Sequence, residues 1–292
     1  MTILVTGATG NVGSQVLNFL SGEGADVRAL TRSPEKATLP DDVKAVQGDL
    51  SDVQSLRTAL ADVSTLFLLV NNSEDELPKA MQTLNVARDL GVKGVVYLSV
   101  FKADRYVDVP HFASKIVIER MIQDCDIPAT ILRPCYFIQN DAMQKDFLLG
   151  HGVYGMPIGS AGLSMVDTRD IGEAAAKELL RRERSSTPLP REAYELVGPG
   201  ALTGPGLAAL WSELLGRPIN YVGDDLNAFE KRFSAFMSPS RAYDIVMMFR
   251  RYQSDPAVAT EADIAKLTSL LGHPPRAYRD FAQAMATQWK GA

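Results

Sequence analysis

The chain has 292 residues, 46% hydrophobic and 22% charged, an ordinary composition for a globular protein with room for a large core and a second subdomain. Its net charge of −5 argues against a nucleic-acid or anionic-membrane surface, and Cys125 and Cys135 are too few for a disulfide framework and suit a reducing cytoplasm. No apolar stretch approaches the roughly 20 residues of a membrane span, and the N-terminus lacks the basic region of a secretory signal, so a cytoplasmic protein without a membrane partner is expected.

Short β-rich runs alternate with amphipathic stretches as far as residue 134. The pattern predicts strands at 3–6, 26–31, 43–47, 64–70, 94–99 and 129–133, and helices at 12–20, 34–38, 52–62, 76–90 and 112–124. Ser33 before Pro34 and Ser51 before Asp52 are expected to open two of these helices. Runs such as "TLFLLV" and "GVVYLS" are apolar throughout, as strands covered by helices on both faces must be. The fold class expected is therefore α/β, a doubly wound parallel sheet over 1–134 with sheet segments returning near 164–182 and 193–197. Beyond Pro134, strands at 164–167, 193–197 and 219–222 stand among Gly/Pro-rich segments, and about the last 65 residues read as helical. Residues 135–292 are thus expected to form a smaller, mainly helical substrate-binding lobe. The basic runs Arg181-Arg182-Glu183-Arg184 and Arg250-Arg251 are read as solvated helix ends, and "AYDIVMMFRRY" as lining the lobe's core.

The N-terminal "TILVTGATGNVGS" runs from a buried strand into glycines at 7, 10 and 13 and then into a helix. The first N–H groups of a helix have no partner within it and attract an anion, provided no side chain keeps the phosphate away. Three glycines meet that demand: one for the turn, one for close approach, one for packing the helix on the strand. The backbone of Gly7, Thr9, Gly10, Asn11, Val12 and Gly13 is the expected seat of a pyrophosphate. The spacing lacks the Lys-Ser/Thr of an NTPase loop.

"TGATGNVG" resembles the fingerprint of extended and atypical short-chain dehydrogenases/reductases. "VRALTRSPEK", "VKAVQGDLSD", "GVVYLSV", "HFASKIVIE", "ILRPCYF" and "VDTRDIG" resemble the NmrA-like family, through residues 1 to about 180. The resemblance implies a Rossmann-like sheet and, in the bacterial members it is most similar to, reduction of quinones or triphenylmethane dyes with NAD(P)H.

A carboxylate about 20 residues past the glycines would bind the ribose of NAD and repel a 2′-phosphate. Here Arg32 stands nineteen residues after Gly13, between Thr31 and Ser33, with Lys36 a turn later. A guanidinium, two hydroxyls and an ammonium suit a phosphate dianion, so NADPH is expected over NADH, the alternative for Arg32 being a solvated strand end. The resemblance puts Asp49 and Leu50 in the adenine pocket, although Asp49 also fits a turn or cap. Asn71 and Asn72 follow the fourth strand, whose end faces the cleft, and are expected beside the pyrophosphate or nicotinamide ribose; the resemblance puts Pro134 and Tyr136 of "RPCYF" along the nicotinamide.

In typical short-chain reductases a serine ends the fifth strand, and a Tyr-x-x-x-Lys pair on the next helix binds the ribose and donates a proton. Here Ser99 and Lys115 occupy such places, but the residue four before Lys115 is His111. A histidine beside an ammonium is biased toward its neutral form and is a poor general acid, which disfavours ordinary ketones. Two readings stay open. One is hydride transfer to an electron-poor acceptor such as a quinone or cationic dye; the other is an NADP(H)-sensing regulator with a protein partner and no turnover. Lys115 is expected to hold the cofactor ribose. His111 is either a substrate-facing donor or a ring packed at the helix start, and Ser99 either catalytic or a strand-end hydroxyl. His111, Tyr136, Phe137 and Asn140 are the substrate-pocket candidates, with Tyr106 a displaced proton donor and Cys135 a small buried spacer. The three histidines, 111, 151 and 273, lack any ligand-like spacing, so no metal is expected, and homo-oligomerisation is left open by the sequence.

Overall fold

The structure, a computed structural model, describes residues 2–290. The described residues form two compact units: 2–104, 111–134 and 168–194 in the first, and 105–110, 135–167 and 195–290 in the second.

The first unit is built on strands β1 (Thr2–Val5), β2 (Asp26–Thr31), β3 (Val43–Gln47), β4 (Thr65–Leu68), β5 (Gly94–Leu98) and β6 (Ala129–Pro134). They pair in parallel in the order β3-β2-β1-β4-β5-β6. Strands β7 (Val153–Tyr154) and β8 (Glu192–Leu196) follow, and β8 joins the sheet as a seventh strand beside β6. β1, β4 and β5 are buried along their whole length, which explains their unbroken apolar sequence. The helices are α1 (Asn11–Leu20), α2 (Val53–Ala59), α3 (Glu76–Asp89), α4 (Pro110–Asp124) and α5 (Thr168–Glu183). The reversal of strand order at β1 and β4 puts a crevice at the carboxyl ends of those strands, where ligands of open parallel sheets bind.

Helix α5 comes late in the chain but packs on α1. A Cβ at Gly172 would lie 2.4 Å from the Cβ of Gln15, so only glycine lets the two helices approach this closely. The far end of α5 lies beneath the amino ends of the strands. Glu183 accepts from Ser64 and Thr65, while Glu178 accepts from Thr130. Arg182, expected in solvent, is instead buried, with its guanidinium donating to Thr130 Oγ1 and to the carbonyls of Leu189 and Pro190. Those carbonyls lie in the segment between α5 and β8.

Local details depart from the sequence reading in three further places. The helix expected at 34–38 is a single 3-10 turn, Pro34–Lys36, and Ser33 makes no capping hydrogen bond. The cap of α2 is Asp52, not Ser51, because its carboxylate reaches the N–H groups of Gln54 and Ser55. The strand expected at 164–167 is realised as isolated bridges, Leu163 to Leu202 and Ala257, and Val166 to Phe137. Each neighbour contributes one residue of pairing, too little for a ladder.

In the second unit, β7 pairs in parallel with β9 (Asn220–Tyr221). Around them lie a 3-10 segment Ile138–Gln144, a π-helical turn Phe147–His151, and helices α6 (Gly204–Leu215), α7 (Leu226–Phe233), α8 (Pro239–Ser254), α9 (Glu261–Leu271) and α10 (Tyr278–Lys290). The stretch 242–252 falls on α8 and turns Ala242, Val246, Met248, Phe249 and Tyr252 inward. Trp211 of α6 is wholly buried, stacks on Trp289 at 5.3 Å and donates to the Tyr278 hydroxyl. Among the described residues no helix is long and apolar enough to cross a membrane.

Candidate functional site

The turn between β1 and α1 is built by its glycines. Gly7 has φ +61°, a conformation that side chains rarely adopt, and a Cβ there would lie 2.5 Å from Leu69. A Cβ at Gly13 would lie 2.1 Å from the Gly7 carbonyl oxygen, so this position admits only glycine and brings the helix down onto the turn. Gly10 serves as N-cap with no side chain to satisfy the helix, and the first turn carries no acidic residue. Gly7, Thr9, Gly10 and Asn11 are exposed, whereas Val12 and Gly13 are buried. The result is an uncapped helix start with its N–H groups bare of side-chain cover, a cradle that fits a phosphate.

The next strands bring their ends to the same edge. Arg32 follows β2 and is exposed, as is Lys36 in the 3-10 turn. Asp49, past β3, accepts the Ser51 N–H at 2.8 Å; that bond, ahead of the charges of Lys79 and Arg32, holds its carboxyl below the ordinary value. The turn role is thus present, and the carboxylate stays ionised. Leu50 is half-buried against the core. Asn71 is exposed past β4, with its carbonyl and side-chain oxygens 3.3 and 3.4 Å from the Ser73 hydroxyl, which donates to Asp75 at 2.7 Å, and Asn72 is half-buried.

At the end of β5 two polar networks converge on helix α4. Lys115 Nζ lies 2.5 Å from Glu76 Oε1, donates to the Leu98 carbonyl at 3.2 Å and sits 5.6 Å from the centre of the Tyr97 ring. One turn further along the same face, Glu119 accepts from Ser99 Oγ at 2.5 Å and from Arg133 Nε and Nη2 at 3.0 and 2.7 Å. Tyr97 lies buried among these groups. Desolvation first, then the charges of Glu76 and Glu119, push its phenol well above the ordinary range, so it stays neutral. His111, one turn before Lys115, is half-buried with its ring edge-on to Phe112 at 4.7 Å. Pro134 ends β6, buried, and its carbonyl accepts from Phe101 N–H.

Tyr136, Phe137 and Asn140 belong to the second unit. Tyr136 is half-buried against Phe249 and Tyr252, at 5.8 and 6.4 Å between ring centres, and Asn140 hydrogen-bonds to it. Burial, with the Asp141 charge adding to it, keeps the Tyr136 phenol neutral. Cys135 is buried, its thiol against the Ala257 carbonyl. Tyr106 gives no support to a proton-donor role: it is fully buried and its hydroxyl donates to the Asp255 carbonyl at 2.7 Å.

Four residues of consequence are absent from the sequence reading: Glu76, Glu119, Arg133 and Asp141. Glu119 had a signal, since it lies four residues after Lys115 and so shares its helical face. Glu76 reads as an ordinary acidic residue in a first helical turn. Asp141 has no local signature. It is wholly buried and accepts from Tyr154 and Tyr278 at 2.7 and 2.6 Å, while its Oδ1 has no hydrogen-bond partner among the described residues.

The chain has relatives among known proteins. The chain is 27% identical to an NAD(P)H azoreductase of Xenophilus azovorans, over 99% of this chain and 100% of the relative. It is 30% identical to a (4-alkanoyl-5-oxo-2,5-dihydrofuran-3-yl)methyl phosphate reductase of Streptomyces griseus, over 96% of each. The crystal structure of an NADPH-dependent quinone oxidoreductase of Escherichia coli complexed with NADPH shares the fold, with a TM-score of 0.84, 24% identity, and 97% of this chain and 99% of that one covered. The NmrA-like family matches residues 1–270, and with that extent of agreement the chain belongs to the NmrA-like family.

Proposed function

We propose that this protein is an NADPH-dependent oxidoreductase that passes hydride to an electron-poor acceptor, a quinone or a cationic dye. The observation that carries the reading is the glycine turn, where Gly7 and Gly13 exclude side chains from an uncapped helix start, with Arg32 past the end of the adjacent strand. The names of the two relatives, an NAD(P)H azoreductase and a (4-alkanoyl-5-oxo-2,5-dihydrofuran-3-yl)methyl phosphate reductase, support the reductase class.

In this reading the backbone from Gly7 to Gly13 holds the pyrophosphate, with Thr9, Asn11 and Val12 lining it and Asn71 nearby. Arg32 and Lys36 take the 2′-phosphate, a dianion that a guanidinium fork binds well. Asp49 and Leu50 receive the adenine, Lys115 the nicotinamide ribose, and Pro134 and Tyr136 flank the ring. The nicotinamide supplies the hydride. His111, Tyr136, Phe137 and Asn140 receive the acceptor. Neither the Ser99 hydroxyl, bound to Glu119, nor the raised Tyr97 and Tyr136 phenols are disposed to give up a proton. An acceptor that draws its proton from water suits such a site; a ketone, which needs an acid as charge develops on oxygen, does not.

The test is NADPH oxidation over a panel of quinones and cationic dyes, with Lys115→Ala and His111→Phe as controls. Turnover that survives in His111→Phe and falls at least about a hundredfold in Lys115→Ala supports the proposal. NADPH binding without oxidation by any acceptor overturns it in favour of the regulator reading.

A further inference from the structure

Glu76 is the first residue of α3, and 4% of it is exposed. Its Oε1 is shut off from water and has no hydrogen-bond partner outside the ion pair with Lys115, whose own side chain is 12% exposed. A buried ion pair is a poor device for stability, because the cost of desolvating both charges offsets their attraction. It is a good device for orientation. An ammonium has three N–H donors. On Lys115 one meets the Glu76 carboxylate and a second meets the Leu98 carbonyl, while the Tyr97 ring lies 5.6 Å away.

We propose that Glu76 is a positioning residue for the dinucleotide: with the Leu98 carbonyl it fixes the ammonium of Lys115 so that the remaining donor serves the nicotinamide ribose. The inference rests on the NADPH reading above. Glu76 acts only through Lys115, from a helix start that follows β4, and so ties the loop after β4 to the face of α4. Asp75, next to it, caps nothing through its side chain and is instead paired with Lys79, whereas Glu76 is paired with Lys115 of α4.

A double-mutant cycle read by NADPH fluorescence titration tests this, with Glu76→Gln, Lys115→Met and the pair of substitutions together. Glutamine keeps the shape and an acceptor but removes the charge. Each single substitution is expected to weaken NADPH at least about fivefold, and the double variant to bind within about twofold of Lys115→Met alone. The same loss in the Lys115→Met background as in wild type shows a structural role for Glu76 and overturns the proposal; so does wild-type affinity in Glu76→Gln. If Glu76→Gln does not fold, Glu76→Asp keeps the charge but shortens its reach, and an affinity equal to wild type there overturns the proposal. A wild-type chain that binds no NADPH overturns the cofactor reading itself, an outcome distinct from binding that is indifferent to Glu76.

Discussion

The Ser99 hydroxyl donates to Glu119 at 2.5 Å, and Glu119 is at the same time clamped by two nitrogens of Arg133. The serine proton is therefore committed to a carboxylate that is already charge-compensated. Ser99→Ala should change turnover by less than about threefold, where loss of a proton donor costs about a hundredfold or more. The substitution should lower stability by about 1 kcal/mol, read by urea denaturation. Glu119→Ala should cost more, since it leaves Arg133 without its bidentate partner.

In the proposed reading, cofactor choice rests on Arg32. Arg32→Ala should weaken NADPH about tenfold while NADH affinity stays the same, because only the phosphate dianion meets the guanidinium. Titrating both reduced cofactors against both proteins checks it; equal affinities in the parent protein would refute the assignment.

The three glycines of the first turn should respond differently to alanine. At Gly13 the new Cβ collides with backbone, 2.1 Å from the Gly7 oxygen, and Gly13→Ala should cost about 2 kcal/mol or more of stability. At Gly10 the nearest atom is 3.3 Å away and φ is −87°, so the fold should tolerate alanine. The methyl group there would still crowd a phosphate. Gly10→Ala is expected to melt near the parent temperature and bind NADPH less well, a separation that thermal melts and titrations measure.

Asp141 gives the second unit a pH signature. Burial pushes its carboxyl up to about 6, against the two phenol hydrogen bonds that lower it, from an ordinary 3.8. The folded chain thus binds a proton more tightly than the unfolded chain does, so stability falls as pH rises from about 4 to about 6 and stays low above. The loss is on the order of 3 kcal/mol. Asp141→Asn should flatten that slope, which urea midpoints at pH 4, 5, 6 and 7.5 would show.

The sheet was readable because its central strands are buried on both faces and carry no polar alternation, and the turn because glycine at 7, 10 and 13 has few other uses. The place of Arg32, just past β2, was readable because that strand's end lies at a fixed distance from the turn. What the chain could not announce were pairs made across the fold. Asp141 meets Tyr278 137 residues away, and Glu76 meets Lys115 across two different helices. Such partners are set by tertiary packing, and neither residue differs locally from an acidic side chain in solvent. Residues 164–167 misled for a related reason: Met165 and Val166 between Ser164 and Asp167 suit a short strand, but the neighbours offer single bridges at Leu163 and Val166.

Helix α5 places a demand on the chain as it is made. By Pro134 the ribosome has delivered all six parallel strands, yet the helix whose Glu178, Arg182 and Glu183 meet Thr130, Ser64 and Thr65 is still more than thirty residues from synthesis. Until residue 183 emerges, the groove on α1 that Gly172 enters stands open, and the sheet waits half-dressed for a segment encoded after the first part of the second unit. A nascent chain stalled between these points would expose apolar strand faces and be a natural client for chaperones.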